Sequence, residues 1–235
     1  KAECVGTSIL FSSSTSQDVV SFKVGDPVTI TINLNVEKYG SLKITKQDED
    51  GAIVPKTSFK VSKNADMSSP IGTYTTGADG SVTVNDLLPQ KYYVQETAVP
   101  SHLVLDNTIH EVTVEANQTT TYTARNNWVK GKVQLRKIDP DSGKQVAGAT
   151  YAIYNDKGQE LERLVTKATG YVESGYLRFG EYTVREVIAP SGYILNKTSY
   201  PVTIATNEQK ITVTGEDERQ TGRLEITKED SVTGS

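Results

Sequence analysis

Three stretches of the chain spell one strand: Ser41-Leu-Lys-Ile-Thr-Lys46, Lys132-Val-Gln-Leu-Arg-Lys137 and Arg223-Leu-Glu-Ile-Thr-Lys228. Their last lysines stand 91 residues apart, twice over. A fixed period of that size points to an array of small domains rather than one large fold. The phase of the lysine is the stronger constraint. Alternate residues of a strand share a face. Leu42, Ile44 and Lys46 therefore point one way, as do Val133, Leu135 and Lys137, and Leu224, Ile226 and Lys228. Each lysine occupies a place where a core residue is expected. A buried, unpaired ammonium is costly, so something inside each domain must answer it.

The rest of the chain reads as strand. Runs rich in Val, Ile, Thr and Tyr, such as Ser81–Val84, Tyr92–Glu96, Glu111–Val114, Tyr182–Glu186 and Lys210–Thr214, are broken by turn pairs such as Asp50-Gly51, Asp79-Gly80 and Lys157-Gly158. Only 159–167 suggests a short helical turn. Gly40, Gly131 and Gly222 open the three copies. The expected division is 1–39 as the last strands of a preceding repeat, carried by Val28–Asn35, then 40–130 as repeat one, 131–221 as repeat two, and 222–235 as the first strand of a following repeat. The chain reads as a piece of a longer array with short, stiff links.

Composition narrows the function. The 235 residues carry a net charge of −4 and no basic run, which argues against nucleic acid or an anionic membrane as partner. No apolar run reaches membrane-spanning length. Cys4 is the sole cysteine, so internal disulfides are excluded. With two histidines, no metal site or cofactor is expected. The loops Asp48–Gly51 and Asp139–Gly143 lack calcium-loop spacing and read as turns. Asn117-Gln-Thr and Asn196-Lys-Thr fit a glycosylation sequon and are read as coincidental. Trp128, between the repeats, is expected to pack at their junction. No nucleophile–base set for turnover on an outside substrate is apparent.

Further polar residues end apolar stripes. Tyr92, Val94 and Glu96 share a face, as do Tyr182, Val184 and Glu186. Asn126 lies 80 residues after Lys46, in phase with Tyr122 and Ala124, and the same offset from Lys137 reaches Asp217. Each repeat thus carries an inward Lys on its first strand, an inward Glu in the middle, and an inward Asn or Asp on its last. Two outcomes are open. One is a buried ion pair. The other is a covalent bond: burial lowers a lysine pKa and raises that of a glutamate, leaving a nucleophilic amine beside a protonated acid. Lys Nζ could then attack the Asn126 side-chain carbonyl and expel ammonia.

Lys46-Gln-Asp48 and Lys137-Ile-Asp139, the box Tyr182-Thr-Val-Arg-Glu186-Val-Ile-Ala-Pro190-Ser-Gly-Tyr193, and the segments Val146–Tyr154 and Leu177–Tyr182 form a combination. Together these motifs resemble the B-type repeats of Gram-positive collagen adhesins and the prealbumin-like domains of pilins. In repeat one the box reads Tyr92 to Leu103, with His102-Leu103 in place of Gly-Tyr. The resemblance implies tandem all-β, transthyretin-like (reverse Greek-key) antiparallel sandwiches with spontaneous isopeptide bonds. Lys46 and Asn126 would be joined in repeat one, with Glu96 as proton shuttle. In repeat two Lys137 would act with Glu186, and the acceptor position falls at Gly215, which cannot react, or at Asp217, which would lose water. Lys228 would be unpaired in this chain. Glu3 and Asn33 or Asn35 would be remnants of the preceding site.

The implied function is a stalk segment of a surface adhesin or pilin-like protein, extracellular and anchored to the cell wall, not an enzyme. Its partners would be neighbouring repeats, with a host extracellular-matrix protein or glycan as a further candidate. The competing expectations are a matrix- or glycan-binding module and a polymerising pilin backbone. For the latter, no lysine follows Tyr200-Pro201 directly.

Overall fold

A computed structural model describes residues 8–12, 17–21 and 38–228. The chain divides into two compact units between Glu37 and Lys38. In the first, β1 (Ser8–Ser12) pairs antiparallel with β2 (Gln17–Ser21). The segment Val28–Asn35, and with it Glu3, Cys4, Asn33 and Asn35, lies outside the described residues.

The second unit holds two sandwiches of like design. Repeat one runs β3 (Gly40–Asp48), β4 (Ser58–Ser62), β5 (Pro70–Thr75), β6 (Ser81–Leu87), β7 (Gln90–Ala98), β8 (Ile109–Val114) and β9 (Thr119–Asn126). One sheet has the order β6-β3-β9 and the other β5-β4-β7-β8. Repeat two runs β10 (Lys130–Ile138), β11 (Thr150–Asn155), β12 (Glu160–Val165), β13 (Tyr171–Glu173), β14 (Leu177–Arg178), β15 (Gly180–Ile188), β16 (Ser199–Ile204) and β17 (Gln209–Glu216). There β13 and β14 share one edge of β10 and β17 takes the other, facing a sheet of order β12-β11-β15-β16. The short edge that β6 spans in one piece is thus broken at 174–176 in repeat two.

Pairing is antiparallel except where each sandwich closes. First and last strands are parallel in both, with Lys46 opposite Ala124 and Lys137 opposite Gly215. Alternation along β3 and β10 is strict, every second side chain being buried. Leu42, Ile44, Phe59, Val94 and Val114 fill the first core, and Val133, Leu135, Ile153, Val184 and Ile204 the second. Each such side chain stabilises by about 1.5–3 kcal/mol when fully buried. The glycines that open the copies answer a close approach: a Cβ at Gly40 would lie 2.2 Å from the Glu115 carbonyl oxygen, and one at Gly131 2.6 Å from that of Gln209.

One expectation changes. The segment 159–167 is not a helical turn: Glu160–Val165 is strand β12, antiparallel to β11, because Leu164 has a core to enter. The third copy carries no strand over 221–228, and its Leu224 and Ile226 are 83% and 80% exposed. A Cβ at Gly222 would meet nothing within 4 Å. The apolar alternation there has no opposing sheet among the described residues.

The link between the repeats is only 127–129. It is bonded into both sides. Val129 packs in the second core, its N–H donates to the His102 carbonyl at 2.8 Å, and its carbonyl accepts from Phe179 N–H at 2.7 Å. Arg178 of repeat two reaches back to Asp50 and lies 5.1 Å from the Trp128 ring.

Candidate functional site

Both lysines end inside: Lys46 is 1% exposed and Lys137 0%. The frame that puts them there is simple. β3 and β10 are the central strands of their sheets, flanked on both sides, so a side chain on their inner face is buried in the sandwich. The partners come from the facing sheet, Glu96 on β7 and Glu186 on β15, and from the end of the last strand, Asn126 and Asp217, all buried.

In repeat one, Lys46 Nζ donates to the Gln47 carbonyl at 2.7 Å and makes no hydrogen bond to Asn126. Asn126 Nδ2 donates to Glu96 Oε1 at 2.5 Å and to the Val104 carbonyl at 2.7 Å. Glu96 Oε1 also accepts from Asp106 N–H at 3.1 Å. Burial lowers the Lys46 pKa, against the pull of Glu96 and Asp48. Burial raises the Glu96 pKa, against its hydrogen bond from Asn126. Both shifts move the pair toward its neutral forms.

In repeat two the contact is direct. Lys137 Nζ lies 3.1 Å from Glu186 Oε1 and closer still to Asp217 Oδ1, in approaches that lack hydrogen-bond alignment. Burial pushes the Glu186 carboxyl up to about 7, helped by the neighbouring Asp217 carboxyl and opposed by Lys137. Its Oε2 accepts from Asn196 N–H at 3.2 Å. Of the two acceptor positions, Gly215 sits opposite Lys137 in the ladder and Asp217 is the residue at the amine. Lys228 is exposed and belongs to neither site.

Each site has an outlet. A hollow of about 230 Å³ opens onto Glu96 and Asn126 past Asp106, His110 and Tyr122. Another, of about 440 Å³, opens onto Asp217 past Pro140, Leu195 and Asn196. A small leaving group could depart through either.

Sequence reasoning missed the supports. Asp48 Oδ1 caps its own turn, accepting from Asp50 N–H and Ala52 N–H, and Oδ2 accepts from Trp128 Nε1 at 3.2 Å. Asp139 caps the matching turn through Ser142, and its Oδ2 accepts from Tyr193 Oη at 2.7 Å and Arg219 Nε at 2.6 Å. These donors hold the Asp139 carboxyl well below the usual range, Tyr193 foremost. The signal was available: Trp128 and Arg219 each lie 80 residues after their aspartate, the offset that separates lysine from acceptor. Also missed was Tyr151, 1% exposed, whose hydroxyl fills the space beside Gly215. Among the described residues no group of three or more His, Cys, Asp or Glu could hold a metal ion.

A model of the SpaA prealbumin-like fold domain matches residues 40–128 and again 131–219. Among solved structures, the Bacillus anthracis TIE protein is similar with a TM-score of 0.74 and 28% identity, over 90% of this chain and 41% of that one. A C-terminal fragment of the pilus adhesin SpaC from Lactobacillus rhamnosus GG shares the fold, with a TM-score of 0.53 and 17% identity over 80% of this chain and 100% of that one. The trypsin-resistant surface T6 protein of Streptococcus pyogenes serotype M6 is 31% identical over 72 residues, which are 31% of this chain and 13% of that protein. The chain thus spans under half of the TIE chain and about an eighth of the T6 protein. With both sandwiches matched from first strand to last, the chain belongs to the SpaA prealbumin-like fold domains, which it carries in tandem.

Proposed function

We propose that this chain is a load-bearing stalk segment of a Gram-positive surface adhesin or pilin-like protein, extracellular and wall-anchored, with each repeat locked by a self-formed isopeptide bond. On this reading 40–130 and 131–221 are the working repeats, and their partners are neighbouring repeats. The observation that carries the reading is the recurrence of a fully buried Lys, a buried Glu on the facing sheet and a buried Asn or Asp ending the last strand, at matching points of both sandwiches.

The chemistry follows from the burial. Neutral Lys46 Nζ adds to Asn126 Cγ, a C–N bond forms, and Glu96 passes the amine proton to the departing nitrogen, which leaves as ammonia. In repeat two Lys137 adds to Asp217 Cγ, Glu186 moves the proton, and the carboxyl hydroxyl leaves as water. Fixed orientation in a dry core can supply effective molarities on the order of 10⁵–10⁸ M, enough to drive a slow aminolysis unaided. By analogy with disulfides, closing a loop of about 80 residues is worth roughly 4–5 kcal/mol of unfolded-state entropy. The bonds also reroute tension. Load entering at Gly40 would cross from Lys46 to Asn126 and leave the intervening strands unloaded. This is a single self-directed event, not turnover. The T6 protein is named for trypsin resistance, and the same resistance is expected here.

Intact mass under denaturing conditions tests the proposal. A deficit of one ammonia plus one water is expected. The full calculated mass would overturn the cross-link and leave a sandwich array held by buried ion pairs.

A further inference from the structure

The two cores differ by one traded atom beside the site. In repeat one Phe59 stands opposite Glu96 in the ladder, and Ala124 opposite Lys46. In repeat two the same places hold Tyr151 and Gly215. The added hydroxyl takes the room of the missing methyl: a Cβ at Gly215 would lie 1.9 Å from Tyr151 Oη. The swap conserves volume but not polarity. It puts a hydroxyl where water is excluded, and that hydroxyl has no hydrogen-bond partner. Leaving a buried donor unpaired costs about 1–3 kcal/mol, so packing alone does not account for it.

Its surroundings do. Lys137 Nζ lies 5.8 Å from the Tyr151 ring centre, and Asp217 is the next same-face residue after Gly215. Both Asp217 carboxyl oxygens, like Lys137 Nζ and Glu186 Oε1, are buried without an aligned partner. The condensation consumes the amine and occupies the glutamate in proton transfer. It leaves one Asp217 oxygen carrying the developing negative charge. The phenol is the donor in this pocket that the reaction does not use. Burial, with the charges of Glu186 and Asp217, raises its pKa, so it keeps its proton.

We propose that the Tyr151 hydroxyl donates a hydrogen bond to the Asp217 carbonyl oxygen as Lys137 adds to it, and remains bonded to the amide oxygen of the product. This rests on the condensation of Lys137 with Asp217 proposed above. Lys137 Nζ forms the C–N bond, the Asp217 C–OH bond breaks, Glu186 carries the amine proton to the leaving hydroxyl, and water departs. Tyr151 lends its proton without transferring it.

The test uses the whole chain made by cell-free translation, quenched into acid denaturant at intervals and weighed. Tyr151→Phe should slow water loss by about a hundredfold, the usual scale for removing one such donor. Ammonia loss in repeat one serves as the internal clock and should be unchanged. The double variant Tyr151→Phe/Gly215→Ala rebuilds the pair found in repeat one and restores packing; it should stay slow. Water loss at the parental rate in either variant would overturn the donor role, and recovery in the double variant alone would assign the effect to packing. If the parent itself loses no water, the repeat-two bond fails, and the role of Tyr151 falls with it. That outcome is distinct from a parent that reacts and a variant that reacts equally fast.

Discussion

Repeat one and repeat two share a frame and differ in how they fill it. In each, a central first strand delivers a lysine to the core and a parallel last strand ends beside it. Around that point the residues change in compensating sets. Phe59 with Ala124 becomes Tyr151 with Gly215. The donors to the turn-capping aspartate change from the Trp128 indole to the Tyr193 phenol and the Arg219 guanidinium. Where the family box loses its tyrosine, at Leu103, the indole N–H arrives from the link after the last strand to meet Asp48. The lysines differ too: Lys137 meets both of its carboxyls, while Lys46 turns to a backbone carbonyl. The frame tolerates exchange of partners where the volume is conserved and each turn-capping aspartate keeps its donors.

The largest expected effect separates the lysines. Lys137→Ala leaves Glu186 and Asp217 buried together with no cation. Lys46→Ala leaves Glu96 still bonded by Asn126 and the Asp106 N–H. Losing one partner of a buried pair costs about 3–5 kcal/mol, and the loss of any bond adds to both variants. Repeat two should therefore fall further in melting temperature than repeat one. Equal losses in calorimetry would mean the sites are energetically alike despite their geometry.

The same variant carries a pH signature. The Glu186 pKa stands at about 7 with Lys137 present, against 4.5 for an ordinary glutamate, and removing the cation that opposes the shift raises it further. Between those values the folded state holds a proton that the unfolded state has lost. Stability is thus full below the unfolded value and declines as pH rises through the folded one. Repeat two of Lys137→Ala should melt progressively lower from about pH 5 to about pH 8. A flat profile would place Glu186 in contact with water.

Packing gives the next contrast. Gly215→Ala should destabilise repeat two by about 1–3 kcal/mol, the range for an overfilled core, and Tyr151→Phe should restore most of it. Ala124→Gly in repeat one should open a gap of one methyl, and Phe59→Tyr, which rebuilds the pair of repeat two, should fill it. A Gly215→Ala chain as stable as the parent would mean the Tyr151 ring can swing clear.

Much of this frame was legible and some of it was not, for physical reasons. The period-2 alternation ending in Lys46 and Lys137 marks an inward face with one sequence alone, because a strand's side chains have only two directions. The offset of 80 picks out Asn126 and Asp217 for the same reason, since first and last strands run in register. That they run parallel is a matter of topology, which no local pattern encodes. Segment 160–165 misled because Leu161 and Leu164 suit a helical spacing as well as a strand, and only a neighbour to pair with decides. The Tyr151–Gly215 exchange is invisible without knowing that residues 64 apart touch. In the third copy Leu224 and Ile226 have the same alternation and are exposed, with no strand among the described residues 221–228.

The smallest effect tests the joint between the repeats. Arg178 Nη1 and Nη2 donate to Asp50 at 2.6 and 3.0 Å, Nη2 donates to Glu49 at 3.1 Å, and Lys130 Nζ meets Glu49 at 2.9 Å. The guanidinium lies over Trp128, against which His102 packs at 4.6 Å. Exposed ion pairs add little to stability, so Arg178→Ala should leave both melting transitions nearly in place. It should nonetheless change the emission of Trp128, the chain's sole tryptophan. In the parent, added salt should shift that emission in the same direction, since screening reaches such exposed charges; in the variant the salt response should vanish. Unchanged emission would mean the angle between the repeats is held by Val129 and its backbone bonds alone. The counterpart of Trp128 in repeat two is Arg219, already engaged with Asp139, and the counterpart of Arg178 in repeat one is Leu88. The latch is therefore a property of this joint, not of the repeat, and neighbouring joints built from the same frame can differ in stiffness.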